Sequence, residues 1–267
     1  ALIVIKNVNA LSSDGTRMLA RQTLVVEDGT IQFIGSKAEI PDDAIVVDGA
    51  GKYLIPGLID SHVHLWQSPN DLLLYVANGI TQIRELIGEP DHLQWRDEIR
   101  NGAAGPNMFI ASPRIGSFGA IEGFFMSWTQ GYANLSDAET AKEAVKEFHR
   151  QGYDAVKIYS QINDETYNAV TKTARDMNMK VVGHVPFAYT MKDIDGRQDS
   201  VAHLEEVMNA LNREFGDYGY DNTEEFLDFV ERRSADVATD LVKNDVAVST
   251  TLWLVESFII QKLELDN

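Results

Sequence analysis

The residues able to do chemistry in this chain are few in kind: six histidines, many carboxylates and no cysteine. Two of the histidines, His62 and His64, stand in the stretch PGLIDSHVHL, from Pro56 to Leu65. Leu58, Ile59 and the alternation after them read as a short strand, where residues two apart point to one face. Two imidazoles side by side, next to the Asp60 carboxylate, are a common start of a transition-metal site. The H-x-H pair alone is equally compatible with two strand histidines that merely alternate. The Pro-Gly turn just before an apolar strand favours the metal reading.

Three more candidate ligands lie near the C-terminal ends of later predicted strands. Lys157 is in DAVKIY, His184 in KVVGHV and His203 in SVAHLEE. The interval from His64 to Lys157 has room for three strand–helix units of about 30 residues. The next two intervals hold one unit each, so the set falls on strands one, four, five and six. Each residue has a plain structural alternative. A lysine in a strand can reach water from a sheet edge, and a lone strand histidine is commonly a hydrogen-bonded structural residue. Jointly these alternatives weaken, because four of the six histidines fall in the set. The other two, His92 and His149, lie in helical stretches and read as surface residues.

The elements that must position these side chains are legible as patterns. Residues 1 to about 55 read as short strands, Leu2 to Ile5, Thr23 to Val26, Ile31 to Ile34 and Ala44 to Val47. Asp28-Gly29 between two apolar runs is a hairpin signal. From His62 onward strands alternate with helical stretches. The strands are the His62 strand, Ile80 to Ile83, Asn107 to Ala111, Ala155 to Tyr159, Lys180 to Val185, Ser200 to Leu204 and Val246 to Thr250. Ser136 and Glu139 form a capping box, followed by Ala141, Ala144, Val145 and Phe148 at helical spacing. A helix after Asn163 carries Tyr167, Val170, Ala174 and Met177 on one face. Another, from about Thr223 to Lys243, carries Phe226, Phe229, Val230, Val237 and Leu241.

Repeated strand–helix units imply a parallel sheet, doubly wound or closed into a barrel. No glycine-rich dinucleotide fingerprint follows a strand. The stretch from Pro113 to Leu135 has no clear periodicity and is rich in glycine and aromatics. It reads as a packed flap over the C-terminal face of the sheet. A second insertion, Gly216 to Asn222, has no readable role. The expected organisation is a small β part over 1–56 and a barrel over 57–267.

The chain has 267 residues and a formal net charge of −18, which argues against a nucleic-acid partner. With 44% apolar and 24% charged residues it reads as soluble. No apolar run reaches the ~18 residues of a membrane span. The opening ALIVI is too short for the apolar core of a signal peptide. Without cysteine there is no disulfide and no thiolate zinc site, and the compartment, cytoplasmic or secreted, stays open.

The pattern H-x-H, Lys, His, His on strands one, four, five and six resembles the metal-dependent amidohydrolase superfamily. The phrases PGLIDSHVHL, GITQIREL, DAVKIY, VVGHVPF and SVAHLEEVM resemble its imidazolonepropionase-like group, which includes Xaa-Pro dipeptidases. The resemblance covers nearly the whole chain. It implies a (β/α)8 TIM barrel with a small β-sandwich built from both chain ends. It further implies two divalent ions, usually zinc, with His62 and His64 on one and His184 and His203 on the other. Lys157, carboxylated on its ε-nitrogen, would bridge them. A free ammonium repels a cation, whereas a carbamate is anionic and has two oxygens. Two such ions can share a hydroxide that attacks an amide carbonyl polarised by one of them. The catalytic set then comprises Lys157, His203 and Tyr159. Tyr159, two residues beyond Lys157, faces the same interior and reads as a substrate hydrogen-bond group or a packed core aromatic.

Two departures stand out. Relatives often carry Gly-Gly-His after the third strand, where this chain has IGSFGAIEG. The superfamily also places a proton-shuttling aspartate at the end of strand eight, and only seven strands are countable here. Asp245 and Asp266 are the nearest carboxylates in sequence, and neither follows an eighth strand. The expectation is therefore a barrel lacking its eighth strand, with a C-terminal segment missing. Its activity would be hydrolysis of a C–N bond in a small substrate such as a dipeptide or N-acyl amino acid. A homo-oligomer is compatible. The rival readings are a mononuclear deaminase of the same superfamily, which Lys157 disfavours, a cyclic-amide hydrolase of that superfamily, and a non-catalytic binding homologue.

Overall fold

The first strands form where β-branched and apolar residues alternate between turn residues. In the computed structural model, which describes residues 1–216 and 218–265, they are β1 (Leu2–Leu11), β2 (Met18–Glu27), β3 (Thr30–Gly35), β4 (Ile45–Asp48) and β5 (Tyr53–Leu54). Their order is β3-β2-β1-β4, with β5 also on β1. Asp28 and Gly29 join β2 to β3 with φ of 47° and 78°, the doubly positive pair that a type I′ hairpin needs. Val4, Val8, Ala10 and Leu24 are buried on this sheet. The chain divides into two compact units, Ala1–Leu58 and the part from Ile59 onward.

The second part begins with β6 (Leu58–Val63), α1 (Asp71–Ala77), β7 (Ile80–Glu85), α2 (Pro90–Arg100) and β8 (Asn107–Gly116). Next come α3 (Ala120–Gln130), β9 (Ala133–Asn134), α4 (Ala138–Gln151), β10 (Ala155–Ile158) and α5 (Asp164–Asp176). β11 (Lys180–Gly183), β12 (Ser200–Ala202), α6 (Leu204–Phe215), α7 (Thr223–Lys243), β13 (Ala247–Ser249) and α8 (Leu252–Leu265) complete it. The sheet is a nearly closed parallel barrel in the order β6-β7-β8-β10-β11-β12-β13, with the short β9 added beside β8. The two edge strands approach until Ser61 Oγ and Ser249 Oγ are 3.4 Å apart. Among the described residues there are seven barrel strands and no eighth.

Both faces of the central strands are covered, so they read as unbroken apolar runs. Every residue of β10 is buried, including Lys157. Ala141 and Val145 of α4 and Tyr167, Val170 and Ala174 of α5 pack into the same core. Asn163 caps α5 by accepting from the Thr166 N–H, as its position suggests. No helix among the described residues is long and apolar enough to cross a membrane.

Several expectations are corrected. The cap of α4 is Asp137, which accepts from the Glu139 and Thr140 N–H groups, and not Ser136. The supposed irregular flap contains the helix α3, with Ile121, Phe124, Phe125 and Trp128 exposed. These four stand at helical spacing, i, i+3, i+4 and i+7, a pattern present in the sequence. His92 is fully buried rather than on the surface. Its Nδ1 accepts from the Glu89 N–H, and its Nε2 lies 2.7 Å from the Trp66 carbonyl oxygen. Asp266 lies outside the described residues.

Candidate metal centre

β6, β10, β11 and β12 bring the five candidate ligands to one end of the barrel. His62 is on β6 and His64 directly follows it, while Lys157 is on β10. His184 and His203 are the first residues beyond β11 and β12. Gly183 makes the step into His184 possible. It has a φ of 134°, and a Cβ there would run into the Ile158 carbonyl oxygen. That carbonyl instead accepts from the His184 N–H at 3.0 Å.

The four rings form one contiguous cluster. His62 Nε2 and His64 Nε2 are 3.3 Å apart. Ring centroids are 4.5 Å apart for His62 and His203, and 5.2 Å for His184 and His203. Tyr159 stacks on His184 at 4.1 Å and meets Tyr132 edge-on at 5.2 Å. Arg114 lies over Tyr132, at 4.5 Å from the ring centre. Asp60 Oδ1 accepts from the His62 N–H at 3.2 Å. His92 and His149 take no part.

Burial disfavours the charged forms of His62, His184, His203 and Lys157. It holds His62 down to about 2 and His203 down to about 4, with neighbouring cations adding to the effect. His184 is lowered by burial, against the pull of Glu206. Lys157, 1% exposed, is brought down to about 7 by burial, with Arg84 and Arg114 lowering it further and Glu85 and Glu206 opposing. Neutral imidazoles are the form a metal requires, and a neutral amine is the form that can add carbon dioxide.

Four groups that the sequence reading gave no role, Glu206, Ser160, Thr251 and Glu85, sit on the Nδ1 side of the histidines. Glu206 Oε1 is 3.1 Å from His184 Nδ1, and Ser160 Oγ is 2.8 Å from it. Burial raises Glu206, but the hydrogen bond and charge of His184 and the Val185 N–H outweigh it and leave the group lowered. Thr251 Oγ1 is 2.9 Å from His203 Nδ1. Glu85, fully buried, is 3.5 Å from His64 Nδ1 and accepts from the Leu65 and Ile87 N–H groups at 2.5 and 2.6 Å. At that distance His64 Nδ1 makes no hydrogen bond, and His62 Nδ1 is likewise buried without a partner. Metal-ligating histidines regularly direct their other nitrogen to such acceptors. The only sequence signal was the acidic residue beside each motif, in GITQIREL and SVAHLEEVM.

Of the two histidine pairs, His62 and His64 have ring nitrogens at the separation of two ligands on one ion. Two nitrogens held about 2.1 Å from one tetrahedral ion are about 3.4 Å apart, close to the His62–His64 separation. Among the described residues no group of three or more His, Cys, Asp or Glu side chains could hold a metal. Each histidine pair therefore needs a further ligand of another kind, and Lys157 is the buried group beside both. A cavity of about 490 Å³ opens onto Asp60, His62, His64 and His203, with Trp253 and Leu254 as its apolar wall. The aromatics of the segment read as a flap do not line this cavity, and Phe118 and Tyr132 are buried.

No family model matches the chain. It is 24% identical to an enamidase of Eubacterium barkeri, over 80% of this chain and 66% of that protein. It is 47% identical to an imidazolonepropionase of Vibrio cholerae over 51 residues, 19% of this chain and 13% of that protein. The chain thus spans only part of the curated relatives it matches. A solved prolidase complexed with N-methylphosphonate-L-proline superposes with a TM-score of 0.67 at 18% identity, covering 94% of this chain and 78% of that one.

Proposed function

We propose, from the premise that the chain belongs to the amidohydrolase superfamily, that it forms the metal-binding barrel of a binuclear hydrolase acting on a C–N bond of a small substrate. The observation that carries this reading is the cluster of four histidines around buried Lys157. His62 and His64 would hold one divalent ion and His184 and His203 the other, with carboxylated Lys157 between them. Zinc suits this donor set. When bound, such ions supply Lewis acidity toward the scissile carbonyl and acidify water near neutral pH.

The chain's own groups prepare that chemistry. A Lys157 amine with a pKa brought down to about 7 is largely neutral above that pH. The neutral nitrogen can form a bond to carbon dioxide and release one proton, which converts a buried neutral amine into an anionic carbamate. Glu206 accepts from His184 Nδ1–H and so leaves Nε2 unprotonated. The Tyr159 ring holds the His184 plane by stacking. Trp253 and Leu254 offer an apolar surface for a substrate side chain.

The test is metal content together with substrate choice. Purified full-length protein incubated with excess zinc should retain two equivalents. A panel of dipeptides, N-acyl amino acids, cyclic amides and lactones should show activity on the C–N substrates. One equivalent with deaminase activity would favour the mononuclear rival. Less than half an equivalent, or activity confined to lactones, would sink the proposal.

A further inference from the structure

Two non-glycine residues at the cavity have a positive φ, His203 at 76° and Thr251 at 50°. For a β-branched threonine this is a genuine outlier. Such conformations persist only where the surroundings over-determine them, and they gather at functional sites. Backbone hydrogen bonds fix both residues. His203 N–H donates to the Ser249 carbonyl at 2.7 Å and Leu204 N–H to the Thr250 carbonyl at 3.2 Å. The Thr251 carbonyl accepts from the Leu254 N–H at 3.0 Å, at the start of α8.

The side chains of the two residues meet, with His203 Nδ1 and Thr251 Oγ1 2.9 Å apart. A threonine hydroxyl has one hydrogen, and the Thr250 carbonyl, which can only accept, lies 2.8 Å from Thr251 Oγ1. When the hydroxyl donates there, its oxygen accepts from His203 Nδ1–H and the Nε2 lone pair is left free.

We infer that Thr251 is a positioning residue, which selects the His203 tautomer able to ligate through Nε2 and thereby sets occupancy of the ion site shared with His184. The inference rests on the binuclear reading above. The rival is that Thr251 merely shapes the turn into α8, in which case its hydroxyl is dispensable for metal.

Three variants separate these. Thr251→Val keeps the β-branch and strain but removes the acceptor. Thr251→Gly removes both strain and acceptor. Thr251→Ser keeps the acceptor. Nitrogen-15 NMR of the metal-free protein should show the Nδ1–H form of His203 in wild type and Thr251→Ser. Thr251→Val and Thr251→Gly should shift toward Nε2–H. Zinc titration against a chelator should show the second equivalent bound about 10–100-fold more weakly in the valine and glycine variants. Thr251→Gly should lose it without any fall in melting temperature. Wild-type affinity for the second zinc in Thr251→Val and Thr251→Gly, or an unchanged His203 tautomer, would overturn the inference alone. Wild type that binds under half an equivalent would overturn the binuclear reading, and this inference with it.

Discussion

Glu206→Gln tests the reading of the site with one atom exchanged. Glu206 is buried, and both carboxylate oxygens are in use. Oε1 faces His184 Nδ1 at 3.1 Å, and Oε2 accepts from the Val185 N–H at 3.2 Å. A glutamine has only one acceptor oxygen. If that oxygen stays on His184, the amide NH2 opposes the Val185 N–H. A buried donor left unpaired costs about 1–3 kcal/mol. If the amide flips, its NH2 faces His184 Nδ1 and drives the proton to Nε2, which removes the ligating lone pair. Either way the carboxylate charge behind His184 is gone, and loss of such a partner weakens metal binding about 10–100-fold, or about 1.4–2.7 kcal/mol. At this chain length each kcal/mol moves the melting temperature by about 2–4 °C. Chelator competition for zinc and thermal denaturation of the metal-free protein measure the two effects. Glu205→Gln, at the exposed neighbouring carboxylate, is the control and should change neither. Wild-type zinc affinity and melting temperature in Glu206→Gln would refute the claim that Glu206 orients His184.

Lys157→Ala should reduce bound zinc from two equivalents to below one, and added short carboxylic acids should partly restore it; full retention of both ions by elemental analysis would contradict a bridging role. Metal-free protein should lose stability as the pH falls below 6.5, through the window down to about 4 for His203 and on to about 2 for His62. The sign follows because the unfolded chain takes up protons there that the folded, buried imidazoles refuse. A His62→Asn, His203→Asn double variant should show a shallower fall in melting temperature between pH 6.5 and 4, and an equal slope would count against the effect. Gly183→Ala combines a positive φ with overlap on the Ile158 carbonyl. It should cost about 2–6 kcal/mol, adding ~1–3 for strain and ~1–3 for overpacking. A denaturant midpoint like that of wild type would show that β10 and β11 tolerate separation.

Local physics is written along the chain and could be read from it. A doubly positive turn at Asp28-Gly29 needs only those two residues. The Asn163 cap needs a side chain that reaches its own helix start. Strand ends bearing His62, His64, Lys157, His184 and His203 were countable because strands alternate with helices along the chain, and parallel strands bring their C-terminal ends to one side. What depends on distant partners was not readable. Ser136 and Asp137 are both good caps, and only backbone placement selected Asp137. His92 is buried because its ring reaches the Trp66 carbonyl, a partner outside its own helix. The apolar stripe of α3 stands at helical spacing, and only the fold decided that it faces outward. Above all, Glu206, Glu85 and Thr251 gain their meaning from the histidines beside them. A carboxylate or hydroxyl in sequence has no tautomer to select. Only when the barrel closes around it does the proton on an imidazole have a determined place.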